Sequence, residues 1–267
     1  MSSARDRPGR GGPPHSDSRD QPNATIEDDS RYAPPVESSL VVASRGRQGP
    51  STVEVTAVGS DVAPHLKSSA QIDAFRELRT RLMAMAAAVG RNYFTTLVVS
   101  VSPGSGASYI SRNLAAAFTL LERRVAILVD CNLRNPTQQM SLGLGVEGIG
   151  LFDYLENPGA GIERLVRPTR VPGLHLIPAG QPPTRTREYF SSQPMRAVMG
   201  ALSQTPSYVF LDGPATRDSP DARILSELVD FVVLVAGYGH DTVDGIAQAV
   251  ALFAPAKFAG VVFNERG

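Results

Sequence analysis

Short apolar runs alternate along this chain with segments in which apolar residues recur every three or four positions. The uniform runs predict buried strands, and they lie at 97–100, 125–129, 174–178, 208–211, 231–235 and 260–263. The periodic segments predict helices, and they lie at 68–90, 107–122, 188–202, 222–228 and 242–252. Because strands alternate with helices, the sequence predicts an α/β fold with a mainly parallel sheet that carries helices on both faces.

The first part of the chain lacks this patterning. Residues 1–66 are rich in Arg, Ser, Asp, Pro and Gly, and their few apolar groups, such as Ile26 and Val53 to Val55, show no sustained period. Such a composition is typical of disorder. We therefore expect a mostly disordered tail at 1–66 and one domain at 67–267, since a chain of 267 residues with 42% apolar composition suffices for one sizeable core and an extension.

Net charge, hydropathy and cysteine content limit the cellular compartment and the kinds of partner that we expect. The formal net charge is zero, so no basic excess drives binding to nucleic acid. No apolar run approaches the roughly 18 residues of a transmembrane helix, and the amino terminus lacks the apolar core of a signal peptide. The single cysteine, Cys131, argues against a disulfide framework and a cysteine-cluster zinc site. We expect a cytoplasmic protein that reaches the inner face of the membrane only through a partner.

One segment has the form of a phosphate-binding loop. It reads Val-Ser-Pro-Gly-Ser-Gly-Ala-Ser from Val101 to Ser108 and lies between a predicted strand and a predicted helix. In such a loop glycines let backbone N–H groups converge on phosphates, a serine holds Mg²⁺, and a lysine neutralises the terminal phosphates. The predicted nucleotide-binding stretch comprises Gly104, Ser105, Gly106, Ala107, Ser108 and Tyr109. Ala107 stands where the lysine is expected.

The missing charge has several candidate replacements. The chain holds two lysines, Lys67 and Lys257, and neither belongs to a segment expected at the mouth of the loop. A guanidinium can bind phosphate through two parallel hydrogen bonds. Arg112, Arg134 or an arginine of a neighbouring subunit could therefore supply the charge.

Two aspartates follow directly after buried strands. Asp130 ends one strand and leads into Asn132 and Arg134, and Asp212 ends another before Gly213 and Pro214. Ligands of open parallel sheets bind outside the carboxyl ends of the strands, so these groups are expected beside the loop. An acid at this position in a phosphate-transfer site orders Mg²⁺ or the nucleophile, although aspartates also cap ordinary turns. Ser108, Asp130 and Asp212 are the predicted Mg²⁺ ligands.

Five landmarks make the chain resemble the bacterial tyrosine kinases (BY-kinases) of capsule and exopolysaccharide systems. They are the helix motif Asp73-x-x-Arg76-x-x-Arg79, the loop 103–108 followed by Asn113-Leu114-Ala115, the segment 130–136, the segment 172–180 and the segment 212–214. The resemblance spans roughly residues 68–264, the whole predicted domain.

This resemblance implies a ligand, a reaction and partners. It implies a P-loop NTPase fold of the deviant Walker type, ATP or ADP with Mg²⁺, and tyrosine-protein kinase chemistry with Asp130, Asn132 and Asp212 at the catalytic positions. It also implies a membrane polysaccharide co-polymerase, or chain-length determinant, as partner. A homo-oligomeric ring would be joined through the helix that carries Asp73, Arg76 and Arg79.

The chain departs from the family pattern at chemically important positions. The family lysine is Ala107, the second aspartate of the Asp-x-Asp motif is Asn132, and the glutamate of the oligomerisation helix is Asp73. Losing one preorganised transition-state donor commonly costs about 100- to 1000-fold in rate, and an amide cannot take up a proton as a carboxylate does. No tyrosine follows Tyr238, whereas the family substrate is a tyrosine-rich tail. We therefore predict a weakened or inactive kinase that acts as the cytoplasmic regulatory partner of a co-polymerase in the control of chain length or export.

Two alternatives stay open. The domain could be an active ATP-dependent tyrosine autokinase that uses a substitute basic residue, and phosphate transfer would distinguish this case. It could also be an ATPase of the partition or division-site type, although those proteins carry a signature lysine early in the loop and 101–105 contains none.

Overall fold

Buried aliphatic runs form the strands of a single sheet. The computed structural model describes residues 52–57, 69–121, 124–132, 135–145, 147–159, 161–181 and 188–266, which all belong to the unit Ser38–Gly267. Its strands are β1 (Thr52–Ala57), β2 (Thr95–Ser100), β3 (Val125–Asp130), β4 (Arg167–Pro168), β5 (Leu174–Ile177), β6 (Ser207–Asp212), β7 (Phe231–Gly237) and β8 (Phe258–Arg266). Their order in the sheet is β1-β8-β7-β2-β6-β3-β5-β4, and β4–β5 is the antiparallel pair among otherwise parallel neighbours.

Helices lie between the strands along the chain. They are α1 (Ser69–Ala88), α2 (Ala107–Thr119), α3 (Gln138–Ser141), α4 (Leu151–Glu156), α5 (Gln193–Ser203), α6 (Asp221–Glu227) and α7 (Val243–Val250), with a 3₁₀ turn at Ile162–Leu165. No helix of the described residues is both long and apolar enough to cross a membrane.

Successive strand residues contribute to two separate cores, one on each face of the sheet. Val98 packs with α1 and α2 on one face. Its neighbours Leu97 and Val99 pack with α4, α5, α6 and α7 on the other. Because side chains alternate along a strand, uniformly apolar strands are the pattern of a sheet buried on both sides. The predicted fold class is confirmed.

Aromatic packing fixes helix α2, which follows the phosphate-binding loop, to the sheet. The ring of Phe118 lies 4.6 Å from that of Tyr208 and 5.0 Å from that of Phe210, and meets Phe94 edge to face at 5.7 Å. Such pairs add about 0.5–1.5 kcal/mol each to the burial of their area. The end of α2 is therefore held firmly, which fixes the direction in which its beginning points.

The expectation of disorder is wrong for 52–57. This segment is an edge strand that pairs in parallel with β8, with Val53 opposite Val262. Its β-branched residues suit a strand, but six residues of alternation are too few to stand out in a polar region. Residues 1–51 and 58–68 lie outside the described residues.

The helix predicted at 188–202 begins later than expected. It starts at Gln193 because the Ser192 side chain caps it, accepting a hydrogen bond from the Met195 N–H at 3.3 Å. Pro194 lies in the first turn, where its missing N–H is tolerated. The start of this helix is therefore set by the Ser192 cap and not by the spacing of its apolar residues.

Candidate nucleotide site

The strand order brings the predicted site residues to one edge of the sheet. Strands β2, β6 and β3 are direct neighbours, so their carboxyl ends open on the same place. A cavity of about 240 Å³ lies there. It is lined by Ser100, Pro103, Gly104, Gly106, Ala107 and Ser108 from the first loop, Asn132, Asn135 and Thr137 from the second, and Gly213, Pro214, Ala215 and Asp218 from the third.

The loop has the backbone shape that only its glycines allow easily. Gly104 and Gly106 have φ angles of 83° and 98°, a region that L residues avoid. A Cβ added to Gly106 would lie 2.0 Å from Nδ2 of Asn264. That Nδ2 donates a 3.0 Å hydrogen bond to the carbonyl oxygen of Ser105. The end of β8 therefore supports the loop from behind and fills the space next to Gly106.

Asp241 holds the loop from a second direction. Its Oδ2 accepts hydrogen bonds from the Ser105 hydroxyl at 2.6 Å and from the Gly237 N–H at 2.7 Å. Burial acts to raise the pKa of Asp241, but hydrogen bonds from the hydroxyls of Ser102 and Ser105 outweigh burial, so its pKa is lowered. The predicted ligand Ser105 thus directs its hydroxyl to a permanent carboxylate and does not line the cavity.

Ala107 is the first residue of α2 and brings no charge to the cavity it lines. It is 6% exposed and belongs to the core on the α1–α2 face. The lysine expected here would have carried an ammonium group beyond the core to the phosphates. Because the side chain of Ala107 is only a methyl group, the loop itself attracts anions through its backbone N–H groups and the N-terminus of α2 alone.

Asp130 and Asp212 lie side by side beneath the cavity. They are opposite each other in the register of β3 and β6, and both are 0% exposed. Asp130 accepts hydrogen bonds from the N–H groups of Asn132 and Gln138, each at 3.1 Å. The structure therefore brings these two predicted Mg²⁺ ligands together, next to Ser108.

Burial and mutual repulsion make these carboxyls weak acids. Burial, followed by the nearby Asp212 charge, raises the pKa of Asp130 to about 8. Burial raises the pKa of Asp212 to about 6, against the opposing effect of the hydrogen bond from Gln138. Burial of the two neighbouring carboxyls therefore favours one retained proton, which belongs to the pair. A divalent cation would displace that proton.

Gln138 joins the two acids to the phosphate-binding loop. Its Nε2 donates to Oδ2 of Asp212 at 2.6 Å, to the carbonyl oxygen of Ser108 at 2.9 Å and to Oγ of Ser111 at 3.2 Å. Gln138 is 0% exposed. Sequence reasoning missed this residue, because a glutamine eight positions after a strand end belongs to none of the five landmarks.

Arg112 is placed below the site and not at its mouth. It is a buried residue of α2 whose Nη1 donates to Oε1 of Gln138 at 3.1 Å and to the carbonyl oxygen of Ser108 at 3.3 Å. Its charge helps to keep the pKa of Asp212 from rising further. Arg112 therefore acts as a counterion to the acids, and the suggestion that it replaces the lysine at the phosphates is not supported by this geometry.

Other predicted residues are divided between the cavity and its surroundings. Asn132 lines the cavity as expected. Tyr109 does not line it, since its ring packs against the core and lies 5.9 Å from the Arg112 guanidinium carbon. Burial raises the pKa of Tyr109. Arg134 lies outside the described residues.

The predicted oligomerisation helix divides its charged residues between solvent and core. Asp73 and Arg76 are both 60% exposed and form an ion pair at 3.5 Å. Arg79 points the other way, and its Nη1 donates to the carbonyl oxygen of Ala117 at 2.8 Å. Burial, followed by repulsion from Arg76, lowers the pKa of Arg79. Arg79 thus joins α1 to α2 of its own chain, contrary to the expectation that both arginines face a neighbouring subunit.

The donor set fits a magnesium nucleotide. Oδ1 of Asp212 is buried and has no hydrogen-bond partner among the described residues, and an unsatisfied carboxylate oxygen is a suitable ligand for a hard cation. Ser108 lies on the cavity wall above it. Asp212 and Ser108 would hold Mg²⁺, which would neutralise part of the charge of phosphates bound in the cradle of 103–108.

Comparison with known proteins identifies relatives of one kind. No protein-family model matches the chain. The tyrosine-protein kinase Wzc of Salmonella typhimurium is 28% identical over 196 residues, which are 73% of this chain and 27% of that protein. The tyrosine-protein kinase YwqD of Bacillus subtilis is 27% identical over 194 residues, 72% of this chain and 80% of that protein. The chain thus spans about a quarter of the length of the first curated relatives it matches.

Solved structures agree with these relatives. The chimerical protein CapA2B2 has a TM-score of 0.70 at 23% identity, with 79% of this chain and 92% of that chain covered. The BceF tyrosine kinase domain has a TM-score of 0.62 at 26% identity, with 72% and 76% covered. The resemblance to the bacterial tyrosine kinases is therefore confirmed, and the fold is that of their P-loop domain.

Replacing Gly106 with alanine tests the support given by β8. The positive φ alone costs about 1–2 kcal/mol for an L residue. Displacing Asn264 breaks its bond to Ser105, and we expect about 1–3 kcal/mol more in the free energy of unfolding. Gly90→Ala is the matched control, because Gly90 has a φ of 69° and open space around it. Equal losses in urea unfolding of the two variants would contradict this account.

The raised pKa of Asp130 predicts a pH-dependent stability. Its ordinary pKa is 3.8, so between about pH 4 and pH 8 the folded chain keeps a proton that the unfolded chain has lost. The free energy of unfolding must then fall as pH rises, by up to about 1.4 kcal/mol per pH unit for one carboxyl. Asp130→Asn should flatten this fall in urea unfolding measured from pH 5 to pH 8 without Mg²⁺ or nucleotide. The same slope in both proteins would show that Asp130 is ionised across this range.

Proposed function

We propose that this domain binds a magnesium nucleotide as a regulatory ligand and has lost most or all of its tyrosine kinase activity. The observation that carries the proposal is the combination of an intact phosphate cradle and buried acid pair with a methyl group at Ala107. The backbone cradle and the acids that would hold Mg²⁺ remain, and the lysine charge that would support both nucleotide binding and phosphate transfer is missing.

The second catalytic deficiency lies across the cavity from the loop. Asn132 lines the cavity where the family pattern has an aspartate, and its amide cannot accept the proton of a tyrosine hydroxyl. Losing both an electrostatic donor and a base weakens catalysis far more than nucleotide affinity, because the base acts only in the reaction.

We base the proposed biological role on the similarity to the related proteins. They include tyrosine-protein kinases, one of them a putative kinase in the cps region of Klebsiella pneumoniae. We propose that the chain acts in capsule or exopolysaccharide biosynthesis, at the cytoplasmic face of the membrane, as the regulatory partner of a membrane polysaccharide co-polymerase. If a homo-oligomer forms through α1, its polar contacts would come from Asp73 and Arg76, because Arg79 is bonded within its own chain.

A calorimetric titration with Mg·ATP and Mg·ADP tests nucleotide binding. The wild type should bind both nucleotides, and Ala107→Lys should bind ATP about 10- to 100-fold more tightly through one added charge-assisted contact. Ala107→Met is the matched control, because it adds a side chain of similar length without charge and should bring no gain. A wild type that binds neither nucleotide, beside an Ala107→Lys variant that binds both, would make the domain a nucleotide-free scaffold and overturn the proposal.

A further inference from the structure

A nucleotide bound without the loop lysine still needs a cation near its terminal phosphates. Two of the basic side chains in the described part of the chain are committed elsewhere. Arg112 is buried against Gln138 and the Ser108 carbonyl oxygen. The Lys257 ammonium group donates to the carbonyl oxygens of Ser226 and Glu227. Neither can reach the cavity without giving up these bonds.

Arg217 is a basic residue whose side chain contacts the phosphate-binding loop. Its Nη1 donates to Oγ of Ser102, in the phosphate-binding loop, at 3.3 Å. Arg217 is exposed to solvent, and Ser102 is buried. This bond is long, and a guanidinium that donates one long bond to a neutral hydroxyl keeps other N–H donors for an anion.

The backbone around Arg217 is tied to the start of the loop. The Thr216 N–H donates to the carbonyl oxygen of Ser100 at 2.8 Å, and its hydroxyl donates to that of Val101 at 3.1 Å. The Arg217 N–H donates to the same Val101 oxygen at 3.3 Å. Three bonds therefore fix where the Arg217 side chain starts, while the side chain itself remains exposed.

The contact lies at the rim of the nucleotide cavity. Pro103, the neighbour of Ser102, and Asp218, the neighbour of Arg217, both line that cavity. Arg217 does not line that cavity itself but lines an adjoining hollow, which shares Asp218 with the cavity and also includes Arg223. If the exposed side chain turned toward the cavity, its guanidinium would exchange the Ser102 hydroxyl for a phosphate oxygen, and a charge-assisted bond is stronger than the neutral one it replaces.

We infer that Arg217 is the cation that neutralises the nucleotide phosphates in place of the missing loop lysine. The inference rests on the proposed nucleotide binding and adds the residue that makes it workable. Arg217 belongs to the loop after β6, so bound phosphates would contact both that loop and the loop 101–108 and hold the two together. Arg217 supplies charge and does not supply the base that Asn132 lacks, so it supports binding without restoring transfer.

Calorimetry of Mg·ATP binding to Arg217 variants tests this assignment. Arg217→Ala should weaken binding about 10- to 100-fold. Arg217→Gln, which removes the charge and leaves a shorter polar side chain, should weaken it by a similar factor. Arg217→Lys should retain most of the affinity. Arg223→Ala is the matched control, an exposed arginine of the neighbouring hollow that has no bond to the loop, and it should leave the affinity unchanged.

A double-variant cycle makes the test specific to charge replacement. In the Ala107→Lys background the loop has its own cation, so Arg217→Ala should cost less than about threefold there. Normal ATP binding by Arg217→Gln, or an equal loss in both backgrounds, would overturn the assignment of Arg217 while leaving nucleotide binding in place. A wild type that binds no nucleotide would overturn the proposed function, and this inference with it.

Discussion

The hydrogen-bonded group formed by Asp130, Gln138 and Asp212 is the constraint on which the site depends. Two ionised acids that face each other in a buried sheet register would repel, and Gln138 hydrogen-bonds to both, by its backbone N–H to Asp130 and its side-chain amide to Asp212. Gln138 also bonds to the Ser108 carbonyl oxygen. Gln138 thus connects the ends of β3 and β6 to the beginning of α2, through its backbone N–H to Asp130 and its side-chain amide to Asp212 and the Ser108 carbonyl oxygen.

The sequence predicted what local patterns can encode. Asp130 and Asp212 were found because each ends an apolar strand, and Gly106 because its spacing fits a phosphate-binding loop. Contacts between distant segments were not predictable. Asn264 lies 159 residues from Ser105 along the chain, yet its amide supports the loop, and Asp241 lies 136 residues from the serine it binds. No periodicity marks such residues, since their position depends on the strand order.

Side-chain direction was the second limit of sequence reasoning. The motif on α1 placed Arg76 and Arg79 one turn apart and suggested one shared role, but Arg76 faces solvent and Arg79 bonds to the carbonyl oxygen of Ala117. Likewise, the sequence places Arg112 near the loop as a possible source of charge, and packing buries it against Gln138. Spacing along a helix fixes neighbours, whereas packing against the sheet decides which of them are available to a ligand.

In the function we propose, the cradle binds nucleotide while Ala107 and Asn132 prevent phosphate transfer. The most direct measurement is single-turnover phosphate transfer from labelled ATP to a glutamate–tyrosine copolymer. It compares the wild type with the Ala107→Lys/Asn132→Asp double variant. The double variant with Asp212→Asn added gives the background rate. We expect transfer at least about 100-fold faster in the double variant than in the wild type. Equal rates in the two proteins, both well above that background, would contradict it.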